Sequence, residues 1–467
     1  MAHQAPAIVA ATAALLAPVA LATAEPFEPD AHLPGPASYA RLAAQMETHF
    51  REGVLRFWFP RSTDRAHGGF LPSFLDDGSP GPENDKTIVF QSRMTWIAAQ
   101  VVLRCPDLAD DYRPIVEHGL AFLDTKMWDR EFGGPFWQLD PTGTLRPGDA
   151  GEKHAYGIAF CIYAAAAARQ ATGSERALDL ARRTFRWLDE RAHDAAHGGY
   201  HEALLRDGTP ILGPPPGARA ATALLGTPHG FKSMNAHIHL LEAFTALHET
   251  WPDPLLTARL NEVFEIVRDR IAAPPGALHL YFAPDWRPVP GHDSYGHDVE
   301  TAYLLLEAHH ALKRDDEART LAVARSLVDN PLAHGWDAEL GGFYDYGSPL
   351  GHHCAKEKIW WTQAEGLNAL LLMHERFGPE TPKYYGAFLR QWAFIWNHQI
   401  DHARGEWFHT VAPSGEPERH HPKGSYWKTA YHNGRALLNA AETLRRLAGS
   451  PPATPRTTPS RSSPTSP

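Results

Sequence analysis

Residues 155–168 read AYGIAFCIYAAAAA, a run that is apolar on every face and too long for a strand. A segment of this kind is a helix surrounded by protein on all sides. Two glycine-aromatic marks bracket it, Gly133-Gly134-Pro135-Phe136-Trp137 before and Gly198-Gly199-Tyr200 after. The mark recurs as Gly68-Gly69-Phe70, as the weaker Gly276-Ala277-Leu278-His279-Leu280-Tyr281, as Gly341-Gly342-Phe343-Tyr344 and as Gly405-Glu406-Trp407-Phe408. First glycines at 68, 133, 198, 276, 341 and 405 fall 65, 65, 78, 65 and 64 residues apart, so one unit is repeated six times. The longer interval holds an insertion from Asp207 to Thr227 that is rich in Gly and Pro.

Outward from that run the pattern alternates. Asn235–His248 (NAHIHLLEAFTALH) is another helix apolar nearly all round, whereas Leu178–Arg191 and Ala318–Val328 are amphipathic, with Arg and Asp on one face. A buried helix alternating with a half-exposed one, six times over, predicts an all-α fold, the (α/α)6 barrel, with two concentric rings of helices. The glycine marks become short β-hairpins or loops at one rim, where glycine supplies positive φ. An open α-solenoid uses the same units without closing them. The pattern places a single catalytic domain over residues 30–447. Residues 1–24 carry no Lys, Arg, Asp or Glu, and Ala22-Thr23-Ala24 has the small-x-small form of a signal-peptidase site. The segment reads as a cleaved signal peptide or as a disordered extension. The corresponding locations are periplasmic or secreted in the first case and cytoplasmic in the second. Residues 448–467, rich in Pro, Ser and Thr, read as a disordered tail.

Composition removes several function classes. With 44 Lys and Arg against 54 Asp and Glu, the net charge is −10, and nucleic acid and anionic membranes both need a basic face. Three cysteines exclude a disulfide framework and a Cys-rich zinc module. No GxGxxG, GxxxxGK[ST] or GxSxG run is present, which leaves nucleotide and Ser-hydrolase chemistry without a motif. The unusual residues are 14 Trp, 14 Tyr, 21 Phe and 28 His. Aromatic faces stack on the C–H faces of sugar rings and imidazoles move protons near neutral pH, so the expected partner is a small-molecule sugar. A monomer or weak homodimer is the expected state.

Polar residues inside all-apolar helices are paired or used. Four segments break the apolar rule in corresponding places, near the ends of inner helices. In Gln91-Ser92-Arg93-Met94-Thr95-Trp96, Arg93 offers a planar donor fork suited to a hydroxyl or a developing oxyanion, or else pairs with a structural carboxylate. In KSMNAHIHLLE, Asn235 and His239 lie i,i+4 on one face, whereas His237 points elsewhere. A metal site from His237, His239 and Glu242 is an alternative, but an i,i+2 pair in a helix does not converge, and no metal is expected. In SYGHDVE, His297 and Glu300 are i,i+3, so a carboxylate in reach can fix the imidazole's tautomer, unless Asp298 is simply a capping residue. In WKTAYHNGR, His432 stands at a helix entrance, and Trp360-Trp361 adds paired indoles on a fifth inner helix.

Two histidines and an arginine at one mouth suit proton transfer at carbon 2 of an open-chain aldose. One imidazole removes the proton, Arg93 stabilises the enediolate oxygen, and the other imidazole returns a proton to the opposite face. The carbonyl is the electron sink, so no cofactor is expected. An aldose–ketose isomerase would use the same groups. A glycoside hydrolase on this barrel would need two carboxylates across a cleft, with Asp298 and Glu365 as candidates.

The runs FQSRMTW, KHAYGIAFCIY, KSMNAHIHLLEAFTAL, SYGHDVETAYLLLEA, KIWWTQAEGLNAL, GEWFHTV and YWKTAYHNGRALL, from about Arg51 to Leu447, resemble the N-acylglucosamine 2-epimerase superfamily. The nearest branch is the cellobiose 2-epimerases. The resemblance implies an (α/α)6 barrel and cofactor-independent epimerisation or aldose–ketose isomerisation. It implies His432 as catalytic base, His297 as its acid/base partner and Arg93 as the enediolate contact. It further implies sugar binding by Tyr156, Asn235, His239, Glu300, Trp360 and Trp361, and stacking of Trp427 on a second sugar ring. The branch usually reads NTHLH, EASWLL and WKCPYHN, so Ala236, Tyr303, Thr429 and Ala430 depart from it, and with them the expected substrate is left open between disaccharide and monosaccharide.

Overall fold

The computed structural model describes residues 25–214, 225–348, 354–378 and 381–449. The expected leader, most of the expected tail, part of the Gly/Pro-rich insertion and the His352-His353 pair lie outside the described residues. Numbered in chain order, six inner helices are α3 (Ile88–Arg104), α5 (Ala155–Thr172), α7 (Met234–Thr250), α9 (Tyr295–Ala311), α11 (Trp360–Phe377) and α13 (Tyr431–Leu447). Six outer helices are α1 (Pro36–His49), α4 (Ala109–Phe122), α6 (Glu175–Ala192), α8 (Pro254–Ile266), α10 (Glu317–His334) and α12 (Lys383–Phe394), and α2 (Arg56–Trp58) is a short turn after α1. Each inner helix packs on the next, and α13 packs back on α3 as well as on α1. The ring is closed, so the architecture is the (α/α)6 barrel and not the solenoid. Ala164 to Ala168 of α5 are all buried, and these small side chains let α3 and α7 approach from both sides.

The rim is built by one device used repeatedly. The chain leaves an outer helix, crosses a Gly-Gly turn and closes a single antiparallel bridge, as at Thr63–Phe70, Trp128–Pro135, His193–Tyr200, Trp336–Phe343 and Ile400–Trp407. Gly199 shows why glycine is required: φ is +72°, and a Cβ there would lie 2.4 Å from the Trp286 ring. The weaker mark also forms a hairpin, Ala272–Ala273 paired with Ala277–Leu278.

Four residues before each Gly-Gly turn stands an aspartate that caps the turn through backbone N–H groups and takes a buried lysine on its other oxygen. The pairs Asp64–Lys86, Asp129–Lys153, Asp194–Lys232 and Asp337–Lys358 close at 2.7, 3.1, 2.8 and 2.6 Å. Lys423 meets Asp401 at 2.5 Å in the sixth unit. The first four lysines open two-residue strands just before inner helices, and each strand pairs with the segment after the next hairpin. The hairpin then caps the helix: Ile88 N–H donates to Trp137 O, Ala155 to Glu202 O, Met234 to Leu280 O and Trp360 to His409 O. This fixes those inner-helix N-termini at one mouth. In the unit that opens α9, Asp293 replaces the lysine and bonds to Asn330.

Candidate active site

The mouth where the inner helices begin leads into a cavity of about 320 Å³. All ten residues singled out from the sequence line it: Arg93 from α3, Tyr156 from α5, Asn235 and His239 from α7, and His297 and Glu300 from α9 join Trp360 and Trp361 from α11, Trp427 and His432. Each except Trp427 sits within the first two turns of its helix, and Trp427 lies on the loop before α13. His297 and His432 pack against the same Trp361 indole, with ring centroids 4.7 and 5.8 Å from it. Arg93 finds no carboxylate among the described residues. It donates to Trp427 O at 3.1 Å and Tyr156 Oη at 3.0 Å and stacks on Phe160 and Tyr431. The structural-carboxylate alternative for Arg93 is therefore absent. Several buried polar atoms of cavity-lining residues have no partner among the described residues, namely Arg93 Nε, Asn235 Oδ1, Trp360 Nε1 and Glu202 Oε1. Unpaired buried polar groups are costly, which fits a surface made for a hydroxyl-rich ligand.

The carboxylate expected beside His297 stands beside His432 instead. His297 Nδ1 lies 2.7 Å from Ser294 Oγ, and Glu300 turns away to Arg435. The reason is direction along the helix: Ser294 precedes the first turn and caps the ring from below, whereas Glu300 points to the barrel axis. His432 donates from Nδ1 to Glu365 Oε1 at 2.6 Å, leaving Nε2 as its lone-pair nitrogen. Burial, and then the positive neighbours His239, His292 and Arg93, pull the His297 imidazole down to about 3. Burial and Arg93 likewise hold His432 well below the ordinary histidine value. Both rings are therefore neutral at neutral pH.

Beneath the cavity lies a charged floor. Arg435 is 1% exposed and donates to Glu300 Oε1 at 2.5 Å, to Glu365 Oε1 at 2.8 Å and to Glu242 Oε1. Glu242 also accepts from Tyr431 Oη at 2.6 Å and from His239 Nδ1 at 3.0 Å. Burial works against the Glu242 carboxylate, but Arg435 and His239 outweigh it and bring its pKa to about 2. Burial wins at Glu365, whose pKa is raised despite Arg435, so it is a strong acceptor for the His432 proton. Glu300, Glu365 and His432 come together with metal-like spacing, yet Arg435 already supplies the cationic charge to both carboxylates. Below this floor a second cavity of about 1210 Å³ opens at the other end of the barrel, lined by the later turns of the inner helices.

Residues 68–436 match the family profile described as N-acylglucosamine 2-epimerase (GlcNAc 2-epimerase). The chain belongs to the N-acylglucosamine 2-epimerase family. Within it, a cellobiose 2-epimerase of Bacteroides fragilis is 29% identical over 403 residues, covering 85% of this chain and 98% of that protein. A D-mannose isomerase of Marinomonas mediterranea is 27% identical over 414 residues, covering 85% and 97%. The solved cellobiose 2-epimerase of Spirochaeta thermophila superposes with a TM-score of 0.77 at 32% identity, covering 88% and 98%. These family relatives are sugar epimerases and isomerases, and this chain is an enzyme of the isomerase class.

Family membership makes the departures at Ala236, Tyr303, Thr429 and Ala430 informative. None of the four lines the cavity at the helix N-termini, and Tyr303 lines the cavity at the opposite end. His237 is a core residue: its Nε2 accepts from Tyr200 N–H at 3.0 Å and its Nδ1 bonds to Ser233 O. Asp298 neither caps α9 nor reaches the cavity; it is fully buried beside Asp293, and burial together with that neighbour raises its pKa well above the carboxylate range. Glu365, the other carboxyl considered for hydrolysis, is committed to His432 and Arg435. Residues missed by sequence reading are Ser294, Arg435, Tyr431 and Glu202. Arg435 carried the same signal as Arg93, a charge within an apolar helix start.

Proposed function

We propose that this enzyme is a cofactor-independent sugar 2-epimerase acting on a reducing β-1,4 disaccharide of the cellobiose type or a related aldose. The observation that carries the reading is the pair of imidazoles, His297 and His432, both packed against the Trp361 indole in one cavity, with an Arg93 guanidinium that no carboxylate neutralises among the described residues. The substrate reacts as its open-chain aldehyde. His432 Nε2 takes the carbon-2 proton, the C–H pair becomes the C1–C2 double bond, and the carbonyl pair moves to oxygen. Arg93 and the convergent N-termini of the inner helices stabilise that enediolate oxygen. Glu365 stabilises the imidazolium formed at His432. The partner imidazole, His297, having taken a proton from solvent, delivers it to the opposite face of carbon 2 as the C1–C2 pair forms the new C–H bond and the carbonyl re-forms. His297 returns to the neutral ring, and His432 gives its proton up to solvent between turnovers. Trp360, Trp361 and Trp427 present aromatic surface to the sugar rings. Tyr156, Asn235, His239 and Glu300 contribute polar atoms around them.

A second reading is aldose–ketose isomerisation of mannose, favoured by the D-mannose isomerase relative that matches as much of the chain. It shares the enediolate and differs in returning the proton to carbon 1. Incubation of cellobiose, glucose and mannose with the enzyme in deuterium oxide separates the two. Deuterium at carbon 2 of a new epimer is the expected result, a ketose labelled at carbon 1 selects the second reading, and no exchange into any of these sugars overturns both.

A further inference from the structure

In four of the six units the residue whose carbonyl caps the inner helix also stands at the mouth. Leu280 lines the cavity from this position, Trp137 packs against Trp427, and His409 packs against Trp360. Apolar and aromatic side chains therefore satisfy the structural role, which needs only a backbone oxygen. In the third unit the position holds Glu202. Its side chain is 4% exposed, lines the cavity and forms no ion pair among the described residues. Oε2 accepts from Ser233 Oγ, while Oε1 is buried without a partner among the described residues. The Ser233 hydrogen bond uses one oxygen of this carboxyl, and the desolvation of the other is left uncompensated. Burial raises its pKa, outweighing the hydrogen bond from Ser233 and the neighbouring His154.

Glu202 bridges the start of α5, through its carbonyl, and the start of α7, through Ser233. Around the closed ring this edge lies opposite the α11–α13 edge, which carries Trp361 and His432. We propose that Glu202 is a specificity-determining sugar-binding residue, its free Oε1 hydrogen-bonding a hydroxyl on the carbon 4 to carbon 6 end of the reducing sugar. This rests on the epimerase reading for the orientation, because carbon 2 held at His432 directs the far end of the sugar to the α5–α7 edge.

The test is binding followed by intrinsic tryptophan fluorescence, which Trp360, Trp361 and Trp427 report, with turnover measured in parallel. The probes are cellobiose, glucose and mannose, with the 4-deoxy and 6-deoxy forms of the two monosaccharides. For Glu202→Ala the expected result is a dissociation constant and KM raised roughly five- to tenfold with kcat within about twofold, and the loss vanishing on one deoxy sugar. Glu202→Gln keeps an acceptor for Ser233 and an N–H donor at the free position, so it restores binding and guards against a folding defect in the alanine variant. Equal losses on parent and deoxy sugars, or no loss, would overturn the proposal. Binding that follows this pattern without any turnover would support it while removing the epimerase reading, and failure of the wild-type enzyme to bind any of the probes would remove both.

Discussion

One guanidinium, that of Arg435, holds three carboxylates from three different helices, and one of those carboxylates holds the catalytic candidate His432. Glu365 is thus a positioning residue acting through His432. Glu365→Gln keeps the hydrogen bond and removes the charge that favours imidazolium, so kcat falls about a hundredfold with KM within a few-fold. Steady-state kinetics check this, and an unchanged kcat would show that Glu365 only packs. At this scale the sequence disclosed the residues better than their partnerships. Arg93, His297 and His432 stood out because charged and polar side chains interrupt apolar helix starts. The exchange of partners, Ser294 for His297 and Glu365 for His432, was not legible, because it depends on which way each inner helix is rotated about its axis. Glu202 was hidden for another reason: it lies in a hairpin, where a carboxylate is unremarkable until the hairpin is seen to roof a cavity.

Among the elements, the rim hairpin determines where chemistry can stand. The buried lysine before an inner helix ties that helix to the preceding Gly-Gly turn, as Lys358 does by donating to Asp337 and Gly341 O. Lys358→Met strands the Asp337 charge and costs about 3–5 kcal/mol in equilibrium unfolding. The unit with Asp293 behaves differently. Its neighbour Asp298 is held protonated by burial and by Asp293, so Asp298→Asn removes no charge and changes stability by less than about 1 kcal/mol. A loss at Asp298→Asn as large as at Lys358→Met would contradict that protonation state. The glycine spacing made these hairpins legible, including the weak fourth one. The Asp–Lys tie went unread, because its two residues lie about 22 positions apart in the first unit and meet only across the turn.

Across the whole molecule, closure of the ring was legible from six equal units, since six is the number that brings α13 back to α3. The barrel also buries histidines away from the site. His49 accepts from Trp407 Nε1 at 2.8 Å and His237 accepts from Tyr200 N–H, and burial holds their pKa values near 3 and 4. The unfolded chain takes up protons near 6.5 that these folded rings refuse. Their contribution is therefore full above pH 6.5 and is lost as pH falls towards 4, by about 1.4 kcal/mol per pH unit for each ring. Thermal melts of the parent and of His237→Gln at pH 7 and pH 5 check this: the variant loses less on acidification, and equal losses would contradict it. The central claim is that two imidazoles serve opposite faces of one carbon. Its most direct test is deuterium incorporation at carbon 2 by His297→Ala and His432→Ala, each starting from either epimer. The account predicts that both variants lose epimerisation by roughly 10²–10⁴-fold while each still exchanges the proton of one epimer, a different one in each variant. Near-normal epimerisation by either variant, or exchange of the same epimer by both, would contradict it.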